Sequence, residues 1–512
     1  MCGELTVAGI LRTQTQSRGG HPLLVCDADR IGYAEADQRS AELARGLIAL
    51  GAGKGTHVGL LYPNGLEFVV GMLAAARIGA VVIPFSTFVT ARELREQLVH
   101  SDVEILLSAE SFRSHDYAER IAEALADPRF DSGERLFVSA APQLRHVALT
   151  HGQLCGLATS VEPALLAAME HDVDGCDPLA VVYTSGSASA PKGVVHTHAA
   201  LLEHQQNLNE IRGLTAADKL FCNSPFFWIG GFAFGLLATL VAGSTLVCSN
   251  ASDAGETLDL LEAEKPTMTN GFAAGVVHLA NHPSFAERDL SSMRRGNLYP
   301  IMPPDVRPAD PELRHNMLGM TEAGSVVLIS DDESDQPEAR RGSFGKPAPG
   351  FETKIVDPDS AGVGELCIRG PYVMQRYYKR GREECFDADG WFHTGDLVRV
   401  DADGFFYFAG RLSAMIKTAG ANVSAAEVEK AIAKVTGAEA HVVGIPDAER
   451  GELVAAVVVQ PNLDEGALRE RLRAELSAYK IPRRFAALTR AEIPLLSSGK
   501  VDTQRLRKLF DA

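Results

Sequence analysis

Between Gly32 and about Ser108 the apolar residues alternate between helical spacing and short continuous runs. From Ala36 to Leu50 they recur at helical intervals until GAGKG breaks the pattern. His57 to Tyr62 is a short apolar run stopped by Pro63-Asn64-Gly65, which predicts a buried strand. Leu66 to Ile78 predicts a second helix ending at Gly79, and Ala80 to Pro84 another apolar run. Strand, helix and strand in that order imply a crossover and a parallel sheet, so the first several hundred residues are expected to be α/β. After Asp331 acidic and Gly/Pro-rich loops lead into the short strands Thr353 to Val356 and Gly364 to Arg369, a β-rich subdomain. From about Leu412 a last block begins, with helices over Ser424 to Val435 and Leu468 to Ala478 and a strand over Leu453 to Gln460. It is large enough for a small α+β domain.

One segment imitates a membrane span. Pro225 to Cys248 carries no charge and is long enough to cross a bilayer. It nevertheless starts at a proline, contains Gly230, Gly231, Gly235 and Gly243, and lacks basic flanks, so a buried helix and strand beside an apolar ligand pocket is expected. No secretory signal is expected either, because MCGELTVAGILRTQTQ has no basic region ahead of a continuous apolar one.

At 512 residues the chain calls for two or more domains. A hydrophobic share of 46% and a mean hydropathy of −0.01 describe a soluble globular protein. The net charge of −17, from 49 basic and 66 acidic residues, argues against a general nucleic-acid surface but leaves room for a local basic patch facing an anionic cofactor. The eight cysteines are scattered without a CxxC pair or zinc spacing, which reads as reduced thiols in a cytoplasmic protein.

The strand-like run Leu179 to Tyr183 enters YTSGSASAPKGVVHTH, a cluster of small and hydroxylated residues followed by Pro191, Lys192 and Gly193. Small side chains let backbone N–H groups approach phosphate oxygens, hydroxyls add donors, and the lysine supplies charge. It is not a Walker A loop, and by itself a flexible Ser/Ala loop is an equal reading. Gly319-Met320-Thr321-Glu322 follows in a loop-like stretch. There a hydroxyl and a carboxylate could serve a phosphate and a divalent cation, although the same tetrapeptide could equally start a helix. Trp391 to Arg411 holds Asp396 in a Gly-Asp turn, suited to the two hydroxyls of a ribose, and Arg411 close in sequence. Ser497-Ser498-Gly499-Lys500 lies near the end.

Together with VGLLYPNGLEFVVGMLAAARIGAVVIP, GELCIRG, WFHTGD and GRLSAMIKTAGANVSAAEVE, these blocks resemble the adenylate-forming (AMP-binding) superfamily, of acyl-CoA synthetase or acid–thiol ligase type. The resemblance runs from about Ile31 to Asp502. It implies an N-terminal AMP-binding domain over 1–411 (β-rich part about 331–411), a hinge at 412–414 and a C-terminal lid domain over 415–512. The implied activity joins a hydrophobic carboxylic acid to ATP, releases pyrophosphate, and passes the acyl group from acyl-AMP to coenzyme A. A carrier protein or an amine as acceptor, or a non-catalytic acyl- or nucleotide-binding role, are the alternatives, and a homodimer is compatible with it.

By the same resemblance Thr184, Ser185, Gly186, Ser187 and Lys192 would hold the β/γ-phosphates, and Gly319 and Thr321 the α-phosphate. Glu322 and Thr184 would hold Mg²⁺, Asp396 and Arg411 the ribose. Lys500 would bridge carboxylate and α-phosphate. In the second half-reaction the small domain would turn near Ser413, bringing the coenzyme A face around Lys417 and Gly420. The acyl pocket would include Trp228, Gly230, Phe232 and Tyr299, and without a buried cation it would take an apolar, bulky acid. The chain departs from the family pattern at Ala188 and Ser189 in the phosphate loop, at Leu318 where an adenine-stacking aromatic is usual, and at Ser413-Ala414. Tyr299 is the aromatic that could stack on adenine instead.

Overall fold

In the computed structural model, which describes residues 5–128, 130, 133–184, 192–412, 415–494 and 501–511, the helix expected from Ala36 begins at Tyr33 and ends at Ala49. Strand His57–Leu61 stops before Pro63. Gly65, at φ +155°, then turns the chain into helix Leu66–Arg77. This helix is apolar on every side, and of its residues only Glu67 is not buried, as a helix inside a large core should be. Gly79, at φ +68°, releases the chain into Val81–Pro84, which pairs in parallel with His57–Leu61 in the register His57↔Val81. Leu66–Arg77 is therefore the crossover that the pattern required.

Two large sheets follow from repeating this unit. The seven-stranded sheet runs Arg376–Tyr377, Lys192–Thr197, Pro178–Thr184, Val81–Pro84, His57–Leu61, Ile105–Ser108, His146–Ala148. The six-stranded sheet runs Arg295–Gly296, Met268–Asn270, Lys219–Cys222, Thr245–Cys248, Pro22–Cys26, Asp29–Gly32, parallel except for its terminal hairpin. The two share one apolar core that includes Leu24, Phe68, Val82, Leu179, Phe226, Phe232 and Leu246. Asn64 fastens the turn after His57–Leu61: its side chain donates to Ser224 O at 3.0 Å and accepts from Phe226 N at 2.7 Å.

The β-rich part expected after Asp331 is an antiparallel sheet of Glu352–Val356, Gly364–Arg369, Phe392–Val400 and Phe406–Arg411. Pro225 to Cys248 is the buried helix-and-strand segment expected of it: a π-helical stretch Phe232–Leu237, helix Ala238–Ala242 and strand Thr245–Cys248. Among the described residues no helix is long and apolar enough to cross a membrane.

The chain divides into two compact units, the first formed by 1–87, 98–183 and 193–410, the second by 88–97, 184–192 and 411–512. In the second, hairpin Met415–Thr418/Ala421–Ser424 and strands Ala440–Asp447, Gly451–Val458 and Arg484–Ala487 form one sheet. Helix Ala425–Thr436 packs on it, capped by Ser424 Oγ and ended by Gly437 at φ +73°. The helix expected over Leu468 to Ala478 runs instead from Glu465 to Leu472, because Asp464 caps it earlier.

The first unit buries His196, His198 and His204 and half-buries His151, and desolvation pushes the pKa of His151, His196, His198 and His204 down to about 4, 4, 4 and 3 from 6.5. These imidazoles are neutral when folded, whereas the unfolded chain takes up protons below pH 6.5. Stability is therefore whole above pH 6.5 and falls as the pH drops towards 4. The loss is about 1 kcal/mol per histidine at pH 5.5. Urea midpoints at pH 7.5 and 5.5 should show this fall, and His198→Gln should reduce it.

Candidate active site

Gly319 to Glu322 is not an open loop but the tip of a hairpin. Strand Leu318–Met320 pairs antiparallel with Ser325–Ile329, and a 3-10 turn over Thr321–Ala323 closes at Gly324, φ +69°. Gly319 is needed for packing: a Cβ there would stand 2.8 Å from Ser325 O. Two side chains hold the tip. His196 Nε2 lies 2.7 Å from Thr321 O, and since a carbonyl only accepts, this nitrogen carries the hydrogen. The Tyr377 hydroxyl donates to Glu322 Oε1 at 2.7 Å. Burial and the Glu322 carboxylate push its pKa up. Sequence reasoning missed both residues in this role. His196 stood in VVHTH without any mark of what it touches, and Tyr377, more than fifty residues downstream of Glu322, gave no signal.

Thr184 ends strand Pro178–Thr184 and Lys192 begins strand Lys192–Thr197, both half-buried, on adjacent strands of the seven-stranded sheet. Ser185, Gly186, Ser187, Ala188 and Ser189 lie outside the described residues, as do Ser413, Ala414 and Lys500.

Asp396 was expected in a tight turn and lies instead within strand Phe392–Val400, almost fully buried at 1% exposure. The irregularity is a bulge. The pairing with Gly364–Arg369 slips between Glu365 and Cys367, Gly395 takes φ +73°, and its N–H donates to Glu365 Oε1 at 2.9 Å. Glu365 Oε2 also meets His393 Nδ1 at 2.8 Å. Thr394 Oγ1 accepts from Asp396 N at 3.0 Å and donates to Leu366 O at 2.6 Å.

In the second unit Arg411 is exposed. Lys417 is exposed on strand Met415–Thr418. Gly420 (φ +84°) and Ala419 (φ +48°) make the two-residue turn of that hairpin, a pair of left-handed conformations that glycine adopts without strain.

The first unit also contains a cavity of about 250 Å³. Phe234, Met268, Met302, Val306, Met317 and Ile329 give it an apolar wall; Asn270, Asn297, Tyr299 and Arg212 are among its polar lining. Of Trp228, Gly230, Phe232 and Tyr299, Tyr299 is on this lining, together with Phe234 from the same apolar stretch as Phe232. Phe232 is fully buried in the main core. Trp228 packs edge-on against Phe227 and Phe272, with ring centres 5.5 and 6.0 Å away. Gly230 belongs to the short turn before the π-helical stretch, where neighbouring Gly231 is required because a Cβ would fall 2.1 Å from Pro225 O. The segment RRGNLYP, featureless in sequence, forms the edge strand Arg295–Gly296 and part of the cavity wall. Arg212, half-buried, also lines this cavity, and its buried Nε has no hydrogen-bond partner.

Comparison with known proteins gives the family. A family model described as AMP-binding enzyme matches residues 11–378, and one described as AMP-binding enzyme C-terminal domain matches 427–500. A feruloyl-CoA synthase from Amycolatopsis sp is 32% identical over 501 residues, 93% of this chain and 94% of that protein. The 3-[(3aS,4S,7aS)-7a-methyl-1,5-dioxo-octahydro-1H-inden-4-yl]propanoyl:CoA ligase of Mycobacterium tuberculosis is 30% identical over 518 residues, 98% of this chain and 99% of that protein. Among solved structures, an amide bond synthetase from Marinactinospora thermotolerans shares the fold, with a TM-score of 0.78 at 23% identity over 98% of this chain and 99% of that one.

Proposed function

Because the chain belongs to the AMP-binding enzyme family, we propose that it activates a carboxylic acid with an apolar body to acyl-AMP and transfers the acyl group to coenzyme A. The chain is a ligase of acyl-CoA synthetase type, whose chemistry is ATP-dependent acid activation and CoA-thioester formation. The observation that carries the finer reading is Glu322, fixed by Tyr377 on a hairpin tip whose approach strand begins next to Met317 of the apolar cavity.

The donor set fits a magnesium ion. Glu322 Oε2 makes no hydrogen bond among the described residues, Thr184 offers a hydroxyl, and both are hard oxygen ligands. Bound there, Mg²⁺ would offset the charge of the triphosphate. The protein's own groups do the rest. Lys192 and the hydroxyls of Thr184, Ser185 and Ser187 bind the outer phosphates, and Thr321 donates to the α-phosphate. Asp396 accepts from the ribose hydroxyls with Arg411 assisting. Lys500 holds the carboxylate against the α-phosphate, so that the reaction gains from proximity and from charge placed where it develops. Lys417 and Gly420 then serve the coenzyme A half-reaction.

ATP–pyrophosphate exchange across a panel of acids tests the first step, and capture of the adenylate by coenzyme A, hydroxylamine or an amine tests the second. Exchange with an acid of the panel and capture by coenzyme A are expected. Absence of exchange across the panel, or capture by an amine in preference to coenzyme A, removes the reading.

A further inference from the structure

Arg212 is the last residue of helix His198–Arg212, and it lines the cavity described above. Its guanidinium lies over the Phe234 ring, 3.9 Å from the centroid. Nη2 donates to Asn209 Oδ1 at 2.9 Å and to Phe234 O at 3.1 Å, both neutral acceptors. Nε is buried and makes no hydrogen bond, and none is made by Nη1 among the described residues. Burial pushes the pKa down to about 9, which still leaves the group charged at neutral pH, and the nearest acidic group acting on it is the Cys222 thiol.

The carboxylates around the cavity are engaged elsewhere. Asp218 pairs with Arg295 at 2.8 Å, Asp332 accepts from Ser334 and Gln336, and Glu333 faces Arg295 and Arg314. Arg294 pairs with Asp305 at 2.8 Å and Arg314 with Asp335 at 2.5 Å. Among the described residues, the arginine without a carboxylate partner on this lining is Arg212. A half-buried cation without a carboxylate partner is under-compensated, and an anion arriving there supplies the missing charge.

The direction of the cavity says which end of a ligand Arg212 would meet. Ligands of parallel α/β sheets enter at the carboxyl ends of the strands, here Asn270 and Gly296 with the following Asn297. The helix end that carries Arg212 lies towards the opposite ends: Arg295, the first residue of its strand, donates from Nη1 to the Arg212 backbone O at 3.3 Å. An acid entering with its reactive carboxyl left at the mouth would present its far end to Arg212.

We propose that the acid bound here carries a second carboxylate at its far end, recognised by Arg212. This rests on the adenylation reading for the identity of the reacting carboxyl, and the test separates the two. Calorimetric binding, without ATP, compares a compact dicarboxylic acid with the monocarboxylic acid in which a methyl replaces the distal carboxylate, on the wild type, Arg212→Met and Arg212→Lys. The wild type should bind the diacid at least about 10-fold more tightly, the worth of one charge-assisted hydrogen bond. Arg212→Met should abolish the preference while keeping monoacid affinity, which also reports an intact cavity, and Arg212→Lys should keep part of it. Equal affinity of the wild type for both acids, no binding of the diacid, or an unchanged preference in Arg212→Met overturns the proposal. ATP–pyrophosphate exchange with the same acids is read separately: a diacid that binds through Arg212 without exchange sinks adenylation and leaves the Arg212 site standing.

Discussion

On the proposed mechanism, Lys500→Ala is expected to abolish acid-dependent adenylation and to spare thioester formation from supplied acyl-AMP. Bringing a carboxylate up to a triphosphate sets two anions against each other at the closest approach of the reaction, and the attacking oxygen must also be aligned with the leaving pyrophosphate. A lysine bridging both groups supplies charge and alignment together. Removing one preorganised donor of this kind typically costs about 100- to 1,000-fold in rate. A group that also sets the attack geometry costs more, so exchange should drop below detection. Attack of a thiol on acyl-AMP needs neither function, because the acyl carbon is already activated and no free carboxylate is present. The two half-reactions are measured apart, by ATP–pyrophosphate exchange and by thioester yield from synthetic acyl-AMP with coenzyme A. Lys500→Arg should recover little, since a planar fork does not reproduce a compact ammonium in a bridging position. Equal loss of both half-reactions would contradict the assignment.

The alternation of helix and strand was legible because each boundary carries its own local cause. Pro63-Asn64-Gly65 can only break a strand, Gly79 only turn a chain with positive φ, and the all-apolar Leu66–Arg77 only cross inside a core. The ordered motifs were legible as chemistry for the same reason, since hydroxyl, carboxylate and lysine beside glycine suit phosphates wherever they occur. What remained illegible is whatever depends on contacts distant in sequence. His196 and Tyr377 meet the Thr321–Glu322 tip from 125 and 55 residues away, and no periodicity records such a meeting. Asp396 looked like a turn residue because Gly-Asp is turn chemistry. The bulge that keeps it in a strand is made by Glu365, on the neighbouring strand. Phe232 was expected to line the acyl pocket because it follows Trp228, at the family's acyl-pocket position, yet the π-helical stretch directs it into the main core.

Two helices that end in arginine show why sequence alone could not find the Arg212 site, and one of them gives a large stability effect. Arg77 and Arg212 each close a helix, where a cation favourably faces the dipole and is ordinarily solvated. Arg77 is instead buried, with 7% of its side chain exposed, and is fully matched. Nε pairs with Glu170 at 2.5 Å, Nη2 with Asp37 at 2.7 Å, and Nη1 donates to Ser40 Oγ and Asp37 O, each at 2.8 Å. Glu170, 8% exposed, has the exposed Arg12 as its second cation among the described residues. Arg77→Ala therefore strands a carboxylate in the core, and the first unit should lose about 3 kcal/mol or more of stability. Glu170→Ala alone should cost a similar amount, and the double variant clearly less than the sum, because the second substitution removes the charge that the first left unpaired. Urea midpoints of the four proteins close the cycle. Strict additivity would mean that Asp37 and Ser40, not Glu170, are what Arg77 answers to.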